Sequence, residues 1–95
     1  IMENARVQGE YFINKLKYIA NQHPKSIDKV DGKGLMIGLK LTFPAKELVT
    51  RLLDYGIISN ATNQYVLRIV PPLIITKQDI DEFCIALNKS LETYE

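Results

Sequence analysis

One arginine inside an apolar segment is the residue of this chain best suited to chemistry. Arg68 lies within residues 66–70, whose other members are apolar and mostly β-branched, and Pro71 and Pro72 follow. Such residues favour a strand, which proline ends because it cannot donate to the ladder. A guanidinium stays charged and is costly to bury alone. Two roles are therefore open: an edge-strand arginine that reaches solvent, or a clamp for a carboxylate at the rim of a cleft.

Other residues with reactive side chains lack the partners that chemistry would need. His23 has no spacing to a second ligand or a triad, so we expect a helix-end residue and no metal site. Cys84 has no base at useful spacing and falls on an apolar helix face, so it is predicted to be packing. The segment Gly32-Lys33-Gly34 lacks the rest of a phosphate loop, which excludes that function.

Length and composition are those of one small globular domain, covering residues 1–95. Of these residues 46% are hydrophobic and 24% charged, which excludes a disordered tail. Twelve basic and eleven acidic residues are spread along the chain, so we expect no nucleic-acid partner. No apolar run approaches the roughly 20 residues of a membrane span, so no membrane partner is expected. The single cysteine fits a cytoplasmic location, and a first residue that is not methionine suggests a piece of a longer protein.

A helix is predicted over residues 3–22, ending at His23-Pro24. It carries one main apolar face and, on nearly the opposite side, a second stripe of Val7, Tyr11 and Tyr18. A surface helix needs only one apolar face. The second stripe is either a set of scattered surface residues or a contact with protein outside the chain, and we favour the contact. The main face consists of Ala5, Gly9, Phe12, Ile13, Leu16, Ile19 and Ala20.

Two further helices have recognisable ends. Pro44 suits the first position of the second helix, and Gly56 suits its left-handed stop. Thr76 and Asp79 predict a capping box at the start of the third. The predicted inner face of the second helix is Ala45, Leu48, Val49, Leu52 and Tyr55; that of the third is Ile80, Phe83, Cys84, Leu87 and Leu91.

Between the helices lie three predicted strands and one short extended piece. The piece covers residues 26–30 and is followed by a turn at Asp31-Gly32. The strands cover 34–41, 57–59 and 65–70, with a polar loop at 60–64 in which Asn63 is able to take positive φ. In the first strand Leu35, Ile37, Leu39 and Leu41 share one face and Gly38 lies on the other. The order helix, strand, helix, strand, strand, helix predicts an α+β two-layer domain, with helices over a small sheet of about three strands.

Taken together, these segments resemble a known family. The combination is the glycine-rich Gly32-Lys33-Gly34-Leu35-Met36-Ile37-Gly38, then Gly56-Ile57-Ile58 and Asn60-Ala61-Thr62, then Val66-Leu67-Arg68-Ile69-Val70-Pro71-Pro72-Leu73-Ile74-Ile75-Thr76. It is similar to the C-terminal small domain of class III pyridoxal-phosphate-dependent aminotransferases of fold type I, most of all the acetylornithine and ornithine aminotransferase group. One departure is Asp31, where the family often has arginine; another is Asn63-Gln64, where glycine is common in the turn.

The resemblance implies an activity and one site residue. Enzymes of this group in arginine biosynthesis transfer an amino group between N-acetylornithine, or a related ω-amino acid, and 2-oxoglutarate. They use pyridoxal phosphate (PLP) and act as homodimers. Arg68 matches the family arginine that binds the α-carboxylate of the amino acid or 2-oxo acid, and a planar fork of donors suits that carboxylate.

The resemblance also implies what this chain lacks. The lysine that forms the Schiff base and the phosphate cradle belong to the large domain, so no catalytic and no cofactor-binding residue is expected here. We expect the fragment alone to be inactive, to bind no PLP, and to have the missing large domain as its partner. The alternative is a free-standing, non-catalytic ferredoxin-like binding or regulatory module, because fold alone does not decide function.

Overall fold

A four-stranded antiparallel sheet with three helices forms the domain in the computed structural model, which describes residues 2–33, 36–70 and 75–92. The α+β class is confirmed, with four strands where about three were expected. The predicted strand residue Leu35 and the motif Pro71-Pro72-Leu73 lie outside the described residues. The elements are α1 (Met2–Gln22), β1 (Ile27–Lys33), β2 (Met36–Leu41), α2 (Ala45–Leu53), β3 (Asn60–Asn63), β4 (Val66–Ile69) and α3 (Lys77–Glu92).

The sheet has the order β1-β2-β4-β3, and each neighbouring pair is antiparallel. Strand β4 therefore lies inside the sheet, between β2 and β3. Alternate residues of β2 and β4 point towards the helices and are buried, as the period of two predicts. The core on that side includes Ile37, Leu39, Leu41, Leu67 and Ile69, packed with Phe12, Leu16, Leu48, Leu52, Ile80, Leu87 and Leu91.

The long helix α1 ends where the sequence predicts. The backbone N–H of His23 donates to the carbonyl of Ile19 at 3.0 Å, and its ring Nε2 lies 2.6 Å from Asn88 Oδ1. His23 is thus a buried helix-end residue that ties α1 to α3, as expected. The two helices also meet through Phe12 and Phe83, whose ring centroids lie 5.3 Å apart at 72° in an edge-to-face contact.

The two ends of helix α2 confirm one sequence prediction and correct two others. Gly56 has φ 79°, the left-handed conformation expected after a helix. At the start of the helix, Pro44 lies one residue before the first helical position that was predicted for it, with ψ 124°. Its side chain makes no capping hydrogen bond there. Because the helix already stops at Leu53, Tyr55 lies past its last turn and is half-exposed, so its placement on the inner face was wrong.

The capping box at α3 is present in full. Thr76 Oγ1 accepts from the Asp79 N–H, and the Thr76 N–H donates to Asp79 Oδ2, each at 3.1 Å. The predicted core face of α3 is buried throughout, from Ile80 to Leu91. Local side-chain chemistry therefore sets the start of this helix, and its apolar stripe sets its orientation.

Asp31-Gly32 was predicted as a turn but belongs to β1. Asp31 pairs with Gly38 and Gly32 pairs with Ile37 in the β1–β2 ladder. A Cβ on Gly32 would lie 2.7 Å from Ile13 Cδ1, so a larger residue here would displace the end of the Ile13 side chain, because α1 passes close over the strand.

The prediction for residues 57–64 was also wrong. Residues 57–59 form no strand, and β3 instead occupies 60–63, where a polar loop was expected. All four residues of β3 are exposed, because an edge strand is held by backbone hydrogen bonds to β4 and needs no apolar side chains. No non-glycine residue in the described ranges has positive φ, so Asn63 does not take it; its side chain accepts from the Tyr65 N–H at 2.9 Å instead.

Candidate functional site

Arg68 lies on the face of the sheet that the helices leave open. On β4 the neighbours Leu67 and Ile69 are buried beneath the helices, while Arg68 is exposed on the other side. The strand is interior to the sheet, so the edge-strand interpretation of this arginine was wrong. An exposed charge in the centre of an open sheet face is available to a partner or a ligand.

The strand register defines the surroundings of Arg68. Gly38 on β2 and Asn60 on β3 are its direct cross-strand partners, and Asp31 on β1 is the next residue in the same row. Directly paired residues of an antiparallel sheet present their side chains on the same face. Arg68 therefore stands between an amide side chain on one side and the bare backbone of Gly38 on the other.

A shallow concavity of about 310 Å³ adjoins the guanidinium. Strands β2, β3 and β4 each contribute to it, with Gly38 lying between the bulkier residues. Thr62 lines the same concavity, because it follows Asn60 by two residues and so lies on the same face of β3. Its lining residues are Met36, Ile37, Gly38, Thr62, Val66 and Arg68.

The described ion pairs on the open face of the sheet do not include Arg68. Lys29 lies 3.6 Å from Asp31, and Lys40 lies 3.8 Å from Asp28, each measured between side-chain nitrogen and oxygen. Within residues 2–33, 36–70 and 75–92, no ion pair or side-chain hydrogen bond involves the Arg68 guanidinium. Its donors lie on the concavity side of the sheet and have no acceptor among the described residues, which is the state required of an anion-binding group.

The residues around Arg68 do not by themselves make a site for PLP. The lysines whose side chains the structure describes are exposed or half-buried, and none of them lines the concavity. A phosphate cradle of backbone N–H groups at a helix start is also missing from its lining. The same described ranges contain no cluster of three His, Cys, Asp or Glu residues placed for a metal ion, and no helix long and apolar enough to cross a bilayer.

The second stripe of α1 is only partly exposed. Val7 and Tyr18 are 45% and 65% exposed, whereas Tyr11 is half-buried. The Tyr11 hydroxyl donates to Asp81 Oδ1 at 2.5 Å, and Lys15 Nζ donates to the same oxygen at 2.9 Å. The prediction of an exposed Tyr11 was wrong, because α3 supplies an acceptor that the helix pattern alone does not reveal.

That shared acceptor shifts the titration of its neighbours. Hydrogen bonds from Tyr11 and Lys15 lower the pKa of Asp81, since both stabilise its ionised form. The pKa of Tyr11 is raised mainly by its hydrogen bond to Asp81, and the pKa of Lys15 is raised by the same carboxylate. The cluster joins α1 to α3 and lies on the helix layer, away from Arg68.

Cys84 is a packing residue of the hydrophobic core, as predicted. It is 4% exposed within the core stripe of α3, and burial raises the pKa of its thiol to about 11. A thiol that stays protonated near neutral pH is a poor nucleophile. Cys84 therefore supplies volume to the core and no chemistry.

Sequence reasoning found Arg68 but missed the residues that surround it. Gly38 was placed on the correct face, yet nothing in the pattern showed which residue of β4 would lie beside it. Thr62 and Asn60 were assigned to a loop. A register is set by long-range pairing, so the pattern within each strand gave no signal of this contact.

Comparisons with known proteins point to one family. The family model for class-III aminotransferases matches residues 1–91. An acetylornithine aminotransferase of Methanosarcina mazei is 41% identical over 81 residues, which are 85% of this chain and 20% of that protein. An ornithine aminotransferase of Staphylococcus carnosus is 40% identical over 82 residues, 86% of this chain and 20% of its relative.

Solved structures show the same fold. A lysine aminotransferase from M. tuberculosis superposes with a TM-score of 0.92 at 26% identity, over 98% of this chain and 22% of that one. An ornithine aminotransferase from Plasmodium yoelii gives a TM-score of 0.90 at 27% identity, over 98% of this chain and 25% of its own. The chain thus spans about a fifth of the length of the curated relatives it matches. It belongs to the class-III aminotransferase family.

Proposed function

We propose that this chain is the C-terminal small domain of a PLP-dependent aminotransferase and supplies the carboxylate-binding wall of its active site. The intact enzyme would transfer an amino group between N-acetylornithine, or a related ω-amino acid, and 2-oxoglutarate, as a homodimer in arginine biosynthesis. The relatives named acetylornithine and ornithine aminotransferase support that substrate class. Family membership argues against the non-catalytic ferredoxin-like module.

The position of Arg68 is the observation that carries the proposal. The guanidinium stands on the open face of an interior strand, beside a concavity, with no acceptor among the described residues. A fork of N–H donors binds a carboxylate through two parallel hydrogen bonds, so it fixes both the position and the rotation of that group. Arg68 would in this way hold the α-carboxylate of glutamate or 2-oxoglutarate.

The remainder of the enzyme would do the covalent chemistry. PLP supplies an electron sink that lets an amino group move between two substrates. The described residues do not make a cofactor site, so the Schiff-base lysine and the phosphate cradle would belong to the large domain. The contribution of this chain is then orientation: a substrate held by its carboxylate keeps its reacting carbon in a constant position. The fragment alone would be inactive, and its one buried cysteine fits a cytoplasmic enzyme.

The first experiment is to sequence the reading frame upstream of Ile1. We expect roughly three hundred further residues that include a cofactor-binding large domain, since the 81 matched residues are 20% of the Methanosarcina mazei relative. An initiator codon directly before this segment would contradict the proposal.

The second experiment replaces Arg68 in the full-length enzyme. Arg68→Lys keeps the charge but loses the two parallel hydrogen bonds, and a charge-assisted hydrogen bond is worth about 1.5–3 kcal/mol. We therefore expect kcat/KM for glutamate to fall roughly ten- to a hundredfold, and further for Arg68→Ala. The matched control is Arg6→Lys, because the ion pairs that Arg6 forms on α1 with Glu3 and Glu10 are exposed. Wild-type kcat/KM in Arg68→Ala would refute the role of this arginine.

A further inference from the structure

Three glycines of this domain stand at positions with different requirements. Gly56 has φ 79°, a conformation that a side chain would strain. Gly32 lies under α1, where a Cβ would come within 2.7 Å of Ile13. Both are explained by the fold.

Gly38 has no such structural reason. Its φ is not in the left-handed region, and among the described residues the nearest heavy atom to a Cβ built there is Val66 Cγ1 at 3.7 Å. That distance is an ordinary van der Waals contact, so the fold has room for alanine. Glycine inside a strand is otherwise unfavourable, because it loses more backbone freedom on folding and has no side chain to pack.

The location of Gly38 indicates what the missing side chain leaves free. It is the direct cross-strand partner of Arg68 on the open face and lines the same concavity. In such a pair the two Cβ positions lie about 4.5–5.5 Å apart, so a methyl group on residue 38 would stand beside the base of the arginine side chain.

We infer that Gly38 is a specificity-determining residue, kept bare so that a ligand carboxylate and its α-carbon lie against the strand beside the Arg68 guanidinium. This inference rests on the proposed function of Arg68. The ligand class is an α-amino or α-oxo acid bound through its carboxylate. The hydroxyl of Thr62, which lines the same concavity, would donate a further hydrogen bond to that carboxylate.

Gly38→Ala and Gly38→Val in the full-length enzyme provide the test, with Arg68→Lys assayed beside them. Gly38→Ala should raise KM for both glutamate and 2-oxoglutarate about tenfold, the discrimination typical of one misplaced methyl group, and leave kcat within about twofold. Gly38→Val should raise KM further. The thermal midpoint of Gly38→Ala should equal or exceed that of the wild type, because alanine restricts the unfolded chain more than glycine does.

Gly32→Ala is the matched control, since it adds the same methyl group on the neighbouring strand against α1. It should leave KM within about twofold, and its thermal midpoint measures the cost of displacing the end of the Ile13 side chain. Unchanged KM values in both Gly38 variants would overturn the inference, as would a loss of activity that only follows a loss of thermal stability. If Arg68→Lys lowers kcat/KM while Gly38→Val keeps the wild-type KM, this inference fails and the proposed function stands. Wild-type kinetics in Arg68→Lys would refute the proposed function itself.

Discussion

The capping box of α3 makes a quantitative prediction, because the two reciprocal hydrogen bonds can be removed singly and together. Thr76→Ala takes away the oxygen that accepts from the Asp79 N–H and leaves the Asp79 carboxylate in place. Alanine at such an N-cap position costs about 1 kcal/mol, with a range of roughly 0.5–2 kcal/mol. Helix α3 supplies Ile80, Phe83 and Leu87 to the core, so fraying of its first turn weakens the folded state as a whole.

For a domain of this size, about 1 kcal/mol corresponds to a shift of about 4–8 °C in Tm. We therefore expect the midpoint of Thr76→Ala, followed by circular dichroism at 222 nm on the 95-residue chain, to fall by roughly that amount. Asp79→Ala should cost a similar amount, because it removes the acceptor of the Thr76 N–H and a negative charge near the helix start. The double variant should cost less than the two added together, by about 0.5 kcal/mol or more, since the bonds share both residues.

Thr50→Ala is the matched control for the same chemical change. The Thr50 hydroxyl donates at 3.1 Å to the carbonyl of Lys46, one turn earlier in α2, and caps no free N–H group. Alanine is the better helix former, so this variant should leave Tm unchanged or slightly higher. Equal midpoints for Thr76→Ala and Thr50→Ala, or strict additivity in the double variant, would refute the reasoning.

Two further predictions concern titratable groups. Tyr11→Phe should raise the pKa of Asp81 towards its ordinary value, since the hydrogen bond from the Tyr11 hydroxyl is the largest cause of the lowered pKa. The carboxyl ¹³C chemical shift of Asp81 across a pH titration measures this pKa. An Asp81 titration midpoint equal to that of the wild type would contradict the contact. Burial raises the pKa of the Cys84 thiol from its ordinary value of about 9.0 to about 11. Between these two values the unfolded chain therefore loses the thiol proton before the folded chain does. Stability should therefore fall across that window as pH rises, and Cys84→Ala should show a shallower fall in urea unfolding; parallel curves for the two proteins would exclude this contribution.

Helices were predictable from the sequence because their signals are local. The capping pair Thr76 and Asp79, the stop at Gly56 and the apolar period of α1 all act within a few residues along the chain. Tertiary contacts then agreed with those local preferences. Cys84 was placed correctly for the same reason, since its position in the stripe of α3 already implied burial.

Strand positions were less predictable wherever pairing outweighed side-chain preference. The segment Asn60–Asn63 forms β3 because its backbone hydrogen-bonds to that of β4. An exposed edge strand of this kind has no alternation of apolar residues from which it could be predicted. Asp31-Gly32 has the composition of a turn, yet the ladder with β2 and the close approach of α1 hold it in β1. Tyr11 has the pattern of a surface residue, and only the packing of α3 brings Asp81, 70 residues away, to its hydroxyl.

The same distinction between local signals and long-range pairing applies to the candidate site. The sequence drew attention to Arg68, because a single charge among apolar strand residues must find water or an anion, and the family resemblance then favoured a carboxylate. It also placed Gly38 on the face opposite the buried leucines, because the period of a strand is two. Only the tertiary structure made the two into neighbours, put Arg68 on an interior strand instead of an edge, and brought Thr62 to the same concavity. Cross-strand register depends on the pairing of segments about thirty residues apart in the chain, and a period read within one strand contains no information about it.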